Sequence, residues 1–302
     1  MVIKRNSNVV DLFLGMALVL GTIVTCADAD ERGSGVALKP TMDARQLFGQ
    51  QKAAARIESV AYGSYARGCL AGAGQLPANG PHWQVMRLSR NRNWGHPAII
   101  NYLERLSTDA AKLDGWPGLL VGDISQPRGG PMLSGHKSHQ IGLDVDIWFS
   151  PAPQRRLSMD ERETRGAESV VKNHVELNQR TWSAGHARLL KRAASYSNVA
   201  RIFVHPTIKK ELCDWAGADR QWLRKIRAWY GHDDHFHVRL DCPDGQKSCI
   251  AQDQPPAGDG CGNELAWWFS KEAYAPRPVK RKPQPLALGD LPPTCKSVLQ
   301  SE

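Results

Sequence analysis

The sequence predicts an α+β fold: a small antiparallel β-sheet with flanking helices and a metal site on the polar face of its central strands. Three observations carry this. From Leu143 to Trp148, Leu143, Val145 and Ile147 alternate with Asp144, Asp146 and Trp148, giving a strand with an apolar back and an acidic front. From His235 to Leu240, Phe236, Val238 and Leu240 alternate with His235, His237 and Arg239, so a second strand would pool its histidines with those aspartates. Before and between the two lie stretches that read as helices, Pro97–Leu113 and Ala184–Tyr196 among them.

Residues 1–29 read as a signal peptide. Lys4 and Arg5 precede an apolar run, Leu12–Cys26, that is short for a bilayer span, and Ala27-Asp28-Ala29 offers a small-x-small cleavage site. Ile23, Val24 and Thr25 make a poor lipobox before Cys26, and no later segment is apolar enough for stable membrane insertion. Residues 30–270 are expected to form the folded domain, and 271–302 a Pro/Lys-rich C-terminal tail, extended and pinned near its end if Cys295 is bridged.

Within the domain, Ala53–Leu76 reads as an extended segment and turn around Cys69, and Trp83–Arg87 as a short strand. Pro97–Leu113 carries Ile99, Ile100, Leu103 and Leu106 on one stripe. Leu119–Ile124 reads as a buried strand, followed by a Gly/Pro turn over Gln126–Pro131. Asp160–Val175 is charged loop and helix; Arg201–Val204 is a strand; Thr207–Ala216 and Asp219–Trp229 are helices with Thr207 and Asp219 as N-caps. Trp215, Trp222 and Trp229 recur at a spacing of seven and are taken as a core stripe.

The formal net charge of +9 suits any polyanion. No helix-turn-helix, finger or RNA-binding signature accompanies it, so nucleic acid is set aside, and for an exported chain the available polyanion is the cell wall. Six cysteines follow the leader, Cys69, Cys213, Cys242, Cys249, Cys261 and Cys295, without a Cys-x-x-Cys pair. An even set in an exported protein points to disulfides, with fifteen pairings open.

The chemistry concentrates in Ser134–Trp148 and His232–Leu240. Residues two apart on a strand lie roughly 6.5–7 Å apart, so one ion cannot easily take both His235 and His237. The ligands on offer for a zinc with an open water position are His139, Asp146 and one of that pair. Asp144 shares the polar face and is placed to orient a ligand histidine. His232 is either a base or transition-state stabiliser, or a loop histidine bonded to Asp233 or Asp234. Ser134-Gly-His-Lys137 spells the Ser-x-x-Lys of serine acyl-enzymes, but no Lys-Thr-Gly follows and the serine precedes a strand rather than opening a helix.

The pattern Ser138-His139, Gly142, Asp146 and His235-x-His237 resembles the LAS metallopeptidases, zinc peptidases of peptidoglycan. The stretch Gly135–Asp146 is similar to one branch, the penicillin-insensitive murein endopeptidases. So are Arg201-Ile-Phe-Val, the Asp219–Arg227 run, His237-Val-Arg-Leu and Ala-Gly-Asp-Gly-Cys-Gly around Cys261, and the likeness covers about 59–269. It implies that 30–270 is a peptidase domain with zinc on His139, Asp146 and His237 and with His235 as base. It also implies disulfides Cys69–Cys295, Cys213–Cys261 and Cys242–Cys249. His136 would serve a second metal in the branch, but the positions that would join it are here Asn173 and Glu176, with His174 out of register. The implied activity is hydrolysis of the D-alanyl-meso-diaminopimelyl cross-bridge of peptidoglycan in the periplasm. Two rivals use the same frame. One is a D,D-carboxypeptidase, which needs a cationic pocket for a free C-terminal carboxylate, to which the sequence assigns none of Arg201, Arg220, Arg224 and Arg239; the other is a non-catalytic wall-binding module with a closed metal site.

Overall fold

Six strands form the central sheet: β1 (Trp83–Val85), β2 (Leu119–Val121), β3 (Asp144–Trp148), β4 (Val199–Val204), β5 (Ile226–Ala228) and β6 (His235–Leu240). Their spatial order is β5-β4-β6-β3-β2-β1. The inner four run antiparallel, as expected. The outer pairs β1/β2 and β4/β5 are parallel, so the sheet is mixed rather than purely antiparallel. The cause lies in the connections. Helix α1 (Pro97–Leu113) carries the chain from β1 to β2, α2 (Ala184–Ser195) precedes β4, and α3 (Pro206–Trp215) carries it from β4 to β5. A strand re-entering beside its predecessor through a helical crossover comes back parallel.

Both crossover helices open on a His-Pro pair. Proline at the first helical position gives up an N–H that has no helical partner, and the histidine before it caps the next free donor. His96 Nδ1 accepts from the Ala98 N–H at 3.1 Å, and His205 Nδ1 from the Thr207 N–H at 3.2 Å. The cap of α3 is therefore His205, not the expected Thr207. The expected helix Asp219–Trp229 is also replaced: Gln221–Lys225 is a single 3₁₀ turn that runs into β5. The tryptophan spacing misled because the chain changes element between repeats. Trp222 is buried, whereas Trp215 and Trp229 are 38% and 51% exposed.

The computed structural model describes residues 37–275 and 284–302, and Leu38–Glu302 make one compact unit. The expected signal peptide 1–29 lies outside the described residues. Among those described, no helix is long and apolar enough to cross a membrane. The core unites the apolar face of the sheet (Val145, Ile147, Ile202, Phe236, Val238, Leu240) with Ile99, Leu103 and Leu106 of α1 and Leu189 and Leu190 of α2. The other face of β3, β4 and β6 carries the histidines, acids and arginines, with Phe203 and Trp148 among them.

The C-terminal segment departs from an extended tail. Helix α4 (Thr294–Gln300) buries Cys295, Val298 and Leu299 in a second core with Ala44, Phe48, Cys69 and Ala71. Arg128 Nη1 donates to the carbonyls of Val298 and Leu299 at 2.7 and 2.8 Å, satisfying acceptors at the helix end. Disulfides join Cys69 to Cys295, Cys213 to Cys261 and Cys242 to Cys249. These are the pairs that the resemblance implies.

Candidate metal centre

Antiparallel pairing of β3 and β6 aligns His237 with Asp146, Arg239 with Asp144 and His235 with Trp148, while β4 sets Phe203 beside His237 and Arg201 beside Arg239. The polar face is thus a grid: an Arg201/Arg239/Asp144 row, then Phe203/His237/Asp146, then His235/Trp148. Histidines and carboxylates meet across strands because alternation leaves them no other face.

His139 enters this grid from a loop. Its backbone is left-handed (φ 67°), a conformation uncommon for a residue with a Cβ, and its N–H donates to Asp144 Oδ2 at 2.9 Å. Gly142 (φ 66°) makes the following turn, where a Cβ would stand 2.4 Å from Leu70 Cδ2. His139 Nδ1 lies 2.7 Å from the Ile124 carbonyl, which can only accept, so the ring proton sits on Nδ1 and Nε2 presents a lone pair. That Nε2 is buried without a hydrogen-bond partner, as is Asp146 Oδ1.

The distances converge on Asp146. Its Oδ1 is 3.5 Å from His139 Nε2 and 3.1 Å from His237 Nδ1, and its Oδ2 is 3.4 Å from His136 Nε2. Ligand atoms 2.0–2.2 Å from a tetrahedral zinc lie roughly 3.3–3.6 Å from one another, so the separations fit a shared ion. His136, His139 and Asp146 offer one ligand atom apiece within 4.8 Å of each other. Among the described residues, nothing from the Asn173–Glu176 segment joins them. Asn173 and His174 form the left-handed turn between two short strands, Val171–Lys172 and Glu176–Leu177.

Burial alone would raise the Asp146 carboxyl, but His139 and His235 foremost hold it well below the usual carboxylate range. Asp144, fully buried, is likewise kept well below that range against burial, by Arg239 and then His237. Arg239 grips it twofold, Nε to Oδ1 at 2.7 Å and Nη2 to Oδ2 at 3.1 Å, and His237 Nε2 lies 3.1 Å from Oδ1.

His235 is pulled the other way. Burial lowers it, yet Asp146 and an Nδ1 contact with Asp234 raise it to about 9. His232 is lowered to about 4 by burial, reinforced by His235 and His237. Its Nδ1 meets the Tyr230 carbonyl at 2.9 Å rather than Asp233 or Asp234, and its ring stands 5.0 Å from that of His235. Ser134 accepts from Arg92 in an exposed loop, away from any buried helix start.

Sequence reasoning missed Asp123. Arg92 (2.8 Å), Arg90 (3.2 Å) and His136 (3.1 Å) all reach its Oδ2, and against burial His136 and Arg92 hold it at about 2. A lone acid ending the apolar run from Leu119 was the available signal.

Hollows flank the centre. One of about 650 Å³ lies over β4, β5 and β6, with Phe203, Trp229, Trp268, Arg201, Arg227 and Arg239 in its walls. Another of about 230 Å³ lies over β2 and β3, with Arg87, Arg90, Trp148 and Asp234. His136 borders both. A separate hollow of about 680 Å³ between Trp116, Trp182 and Arg188 touches none of these clustered residues.

Comparison with known proteins agrees with the sequence patterns. Residues 61–300 match the family described as penicillin-insensitive murein endopeptidase. The chain is 46% identical over 239 residues to a protein of that name from Haemophilus influenzae, covering 79% of this chain and 82% of that one. It is 43% identical over 241 residues to its namesake from Yersinia enterocolitica, covering 80% and 86%. For the Pectobacterium atrosepticum protein of the same name the figures are 43% over 238 residues, with 78% and 83% covered.

Proposed function

The chain belongs to the penicillin-insensitive murein endopeptidase family, and from that premise we propose that it hydrolyses the D-alanyl-meso-diaminopimelyl cross-bridge of peptidoglycan with the aid of zinc. The observation that carries the metal is the meeting of His139 Nε2 and Asp146 Oδ1, both buried without a hydrogen-bond partner, in a cluster where His136 also offers a ligand atom. Leaving such groups unmatched is costly, and a cation satisfies them together.

His139, Asp146 and His237 would hold the ion, with His136 assigned as an additional ligand at the same carboxylate. When bound, zinc polarises the scissile carbonyl and lowers the pKa of a water toward neutrality. The Ile124 carbonyl fixes His139 with Nε2 as its free nitrogen. Asp144 keeps the proton of His237 at Nε2, turning the Nδ1 lone pair toward Asp146. Asp234 holds His235 at Nδ1, so Nε2 is left to take the proton of the attacking water. A cation beside Asp146 offsets the carboxylate that raises His235, which favours the neutral imidazole a base requires. His232 stands behind His235 with its Nδ1 proton on the Tyr230 carbonyl, so as a neutral ring it can accept a proton at Nε2 as a further base.

Hollows on both sides of the centre support an endopeptidase, because chain must leave the scissile bond in two directions. Three disulfides suit an oxidising compartment, which supports the periplasm. Digestion of cross-linked murein by the purified protein tests the reading. Dimeric muropeptides should fall to monomers, a chelator should stop this, zinc should restore it, and penicillin should have no effect. Release of terminal D-alanine alone would transfer the chain to the carboxypeptidases. Binding without cleavage would leave a wall-binding module.

A further inference from the structure

Four arginines could supply a carboxylate pocket, and their surroundings separate them. Arg220 is spent on Asp259 and the Cys213 carbonyl, and Arg224 on the carbonyls of Pro255 and Pro256. Arg239 lines the larger hollow, but its charge is matched by Asp144, and Gln252 takes its remaining arm at 2.7 Å. Arg227, a fifth cation in the same wall, is paired with Glu264. Arg201 alone among these wall arginines has no carboxylate in contact. It is 8% exposed, its Nη2 donates to the Asp253 carbonyl, and its Nε is buried without a partner. A buried guanidinium lacking a counter-ion is an unfavourable arrangement that an anionic ligand would relieve.

Its position says which anion. Arg201 stands across from Arg239 on β4, one strand over from His237 and one pleat repeat along. One strand spacing and one such repeat put the two backbones about 8 Å apart on the diagonal. One residue of extended substrate covers at most about 3.6 Å of this, a charge-assisted hydrogen bond about 2.8 Å, and the long arginine side chain the remainder, so a carboxylate one residue from a carbonyl held at the His237 row falls within reach of Arg201. In the proposed substrate such a group exists: the diaminopimelate nitrogen in the cross-bridge is borne on a carbon that also carries a free carboxylate. Resting on the endopeptidase reading, we propose that Arg201 binds the carboxylate flanking the scissile amide and so determines specificity for an acidic residue at that place.

The test compares two cross-linked peptide dimers, one with this carboxylate free and one with it amidated, on the zinc-loaded full chain. Arg201→Gln should raise KM for the free dimer roughly ten- to hundredfold while kcat changes less. Against the amidated dimer the wild type should already be weak and the substitution should add nothing. Arg201→Lys should recover part of the loss, and Arg220→Gln should match wild type. Equal losses on both dimers, or none, would overturn the proposal. Should Arg201→Gln fail to fold, as judged by circular dichroism, the lysine variant carries the same comparison through its smaller shift. Should the wild type cleave neither dimer, the endopeptidase reading fails. Calorimetric affinities for the uncut dimers then decide on Arg201 by the same criterion.

Discussion

At the scale of single residues, the centre depends on orientation as much as on ligand type. Asp144 meets Arg239, the His139 backbone and His237 at once, and so couples strand pairing to ligand geometry. Asp144→Asn keeps the shape but removes the charge that holds the His237 proton at Nε2. Zinc affinity should fall about 10–100-fold, read by competition with a chromophoric chelator; an unchanged affinity would show that Asp144 merely packs. Asp144, Asp146, His235 and His237 were legible because a period of two puts them on one face, whereas His139, in a loop, was legible through its place in the Ser-His, Gly, Asp pattern. Asp123 was not, since its partners Arg92 and His136 come from loops with no periodicity. Nor was the tether of His232, which depends on a left-handed backbone (φ 57°) that no pattern announces.

Among the elements, the His-Pro openings of α1 and α3 are what the sequence offered and the reading passed over. The mixed sheet follows from them, because each starts a crossover that brings a strand back parallel. The cap of α3 can be isolated. His205→Ala should lower stability by about 0.5–2 kcal/mol in urea denaturation, while His205→Asn, which can still accept the Thr207 N–H, should retain most of it. The same residue gives a pH dependence. Burial holds His205 below its ordinary value of 6.5, against Asp233 and together with His174. With the folded pKa depressed, the unfolded chain binds the proton more readily, so stability is lost as pH falls below about 6.5. The decline should be shallower in His205→Asn, and parallel stability curves for the two proteins would dismiss this role. The tryptophan spacing failed as a guide for a related reason: Trp215 ends a helix, Trp222 sits in a 3₁₀ turn and Trp229 follows a strand.

Over the whole molecule, cross-links of very different span hold the fold. Cys69–Cys295 closes a separation of 226 residues and Cys242–Cys249 one of 7. Chain entropy alone makes the first worth about 5 kcal/mol and the second about 2. Replacing Cys69 and Cys295 together by Ser should therefore lower the unfolding midpoint more than replacing Cys242 and Cys249, a ranking that calorimetry checks; the reverse order would mean that local strain outweighs span. Cysteine parity announced disulfides, but the helix around Cys295 was hidden by the proline-rich stretch before it, which reads as extended until its later Leu288 and Leu291 find a core. The clasp also reaches the site. Leu70, in the hairpin Val60–Ser64/Arg67–Ala71 that holds Cys69, donates to the carbonyl of Arg128, the side chain of Arg128 holds the end of α4, and Gly130 donates to the Gln140 carbonyl beside His139. The loop that carries His139 thus leans on a seam that the Cys69–Cys295 bridge keeps closed, so a cross-link between residues far apart in the chain also steadies a proposed metal ligand.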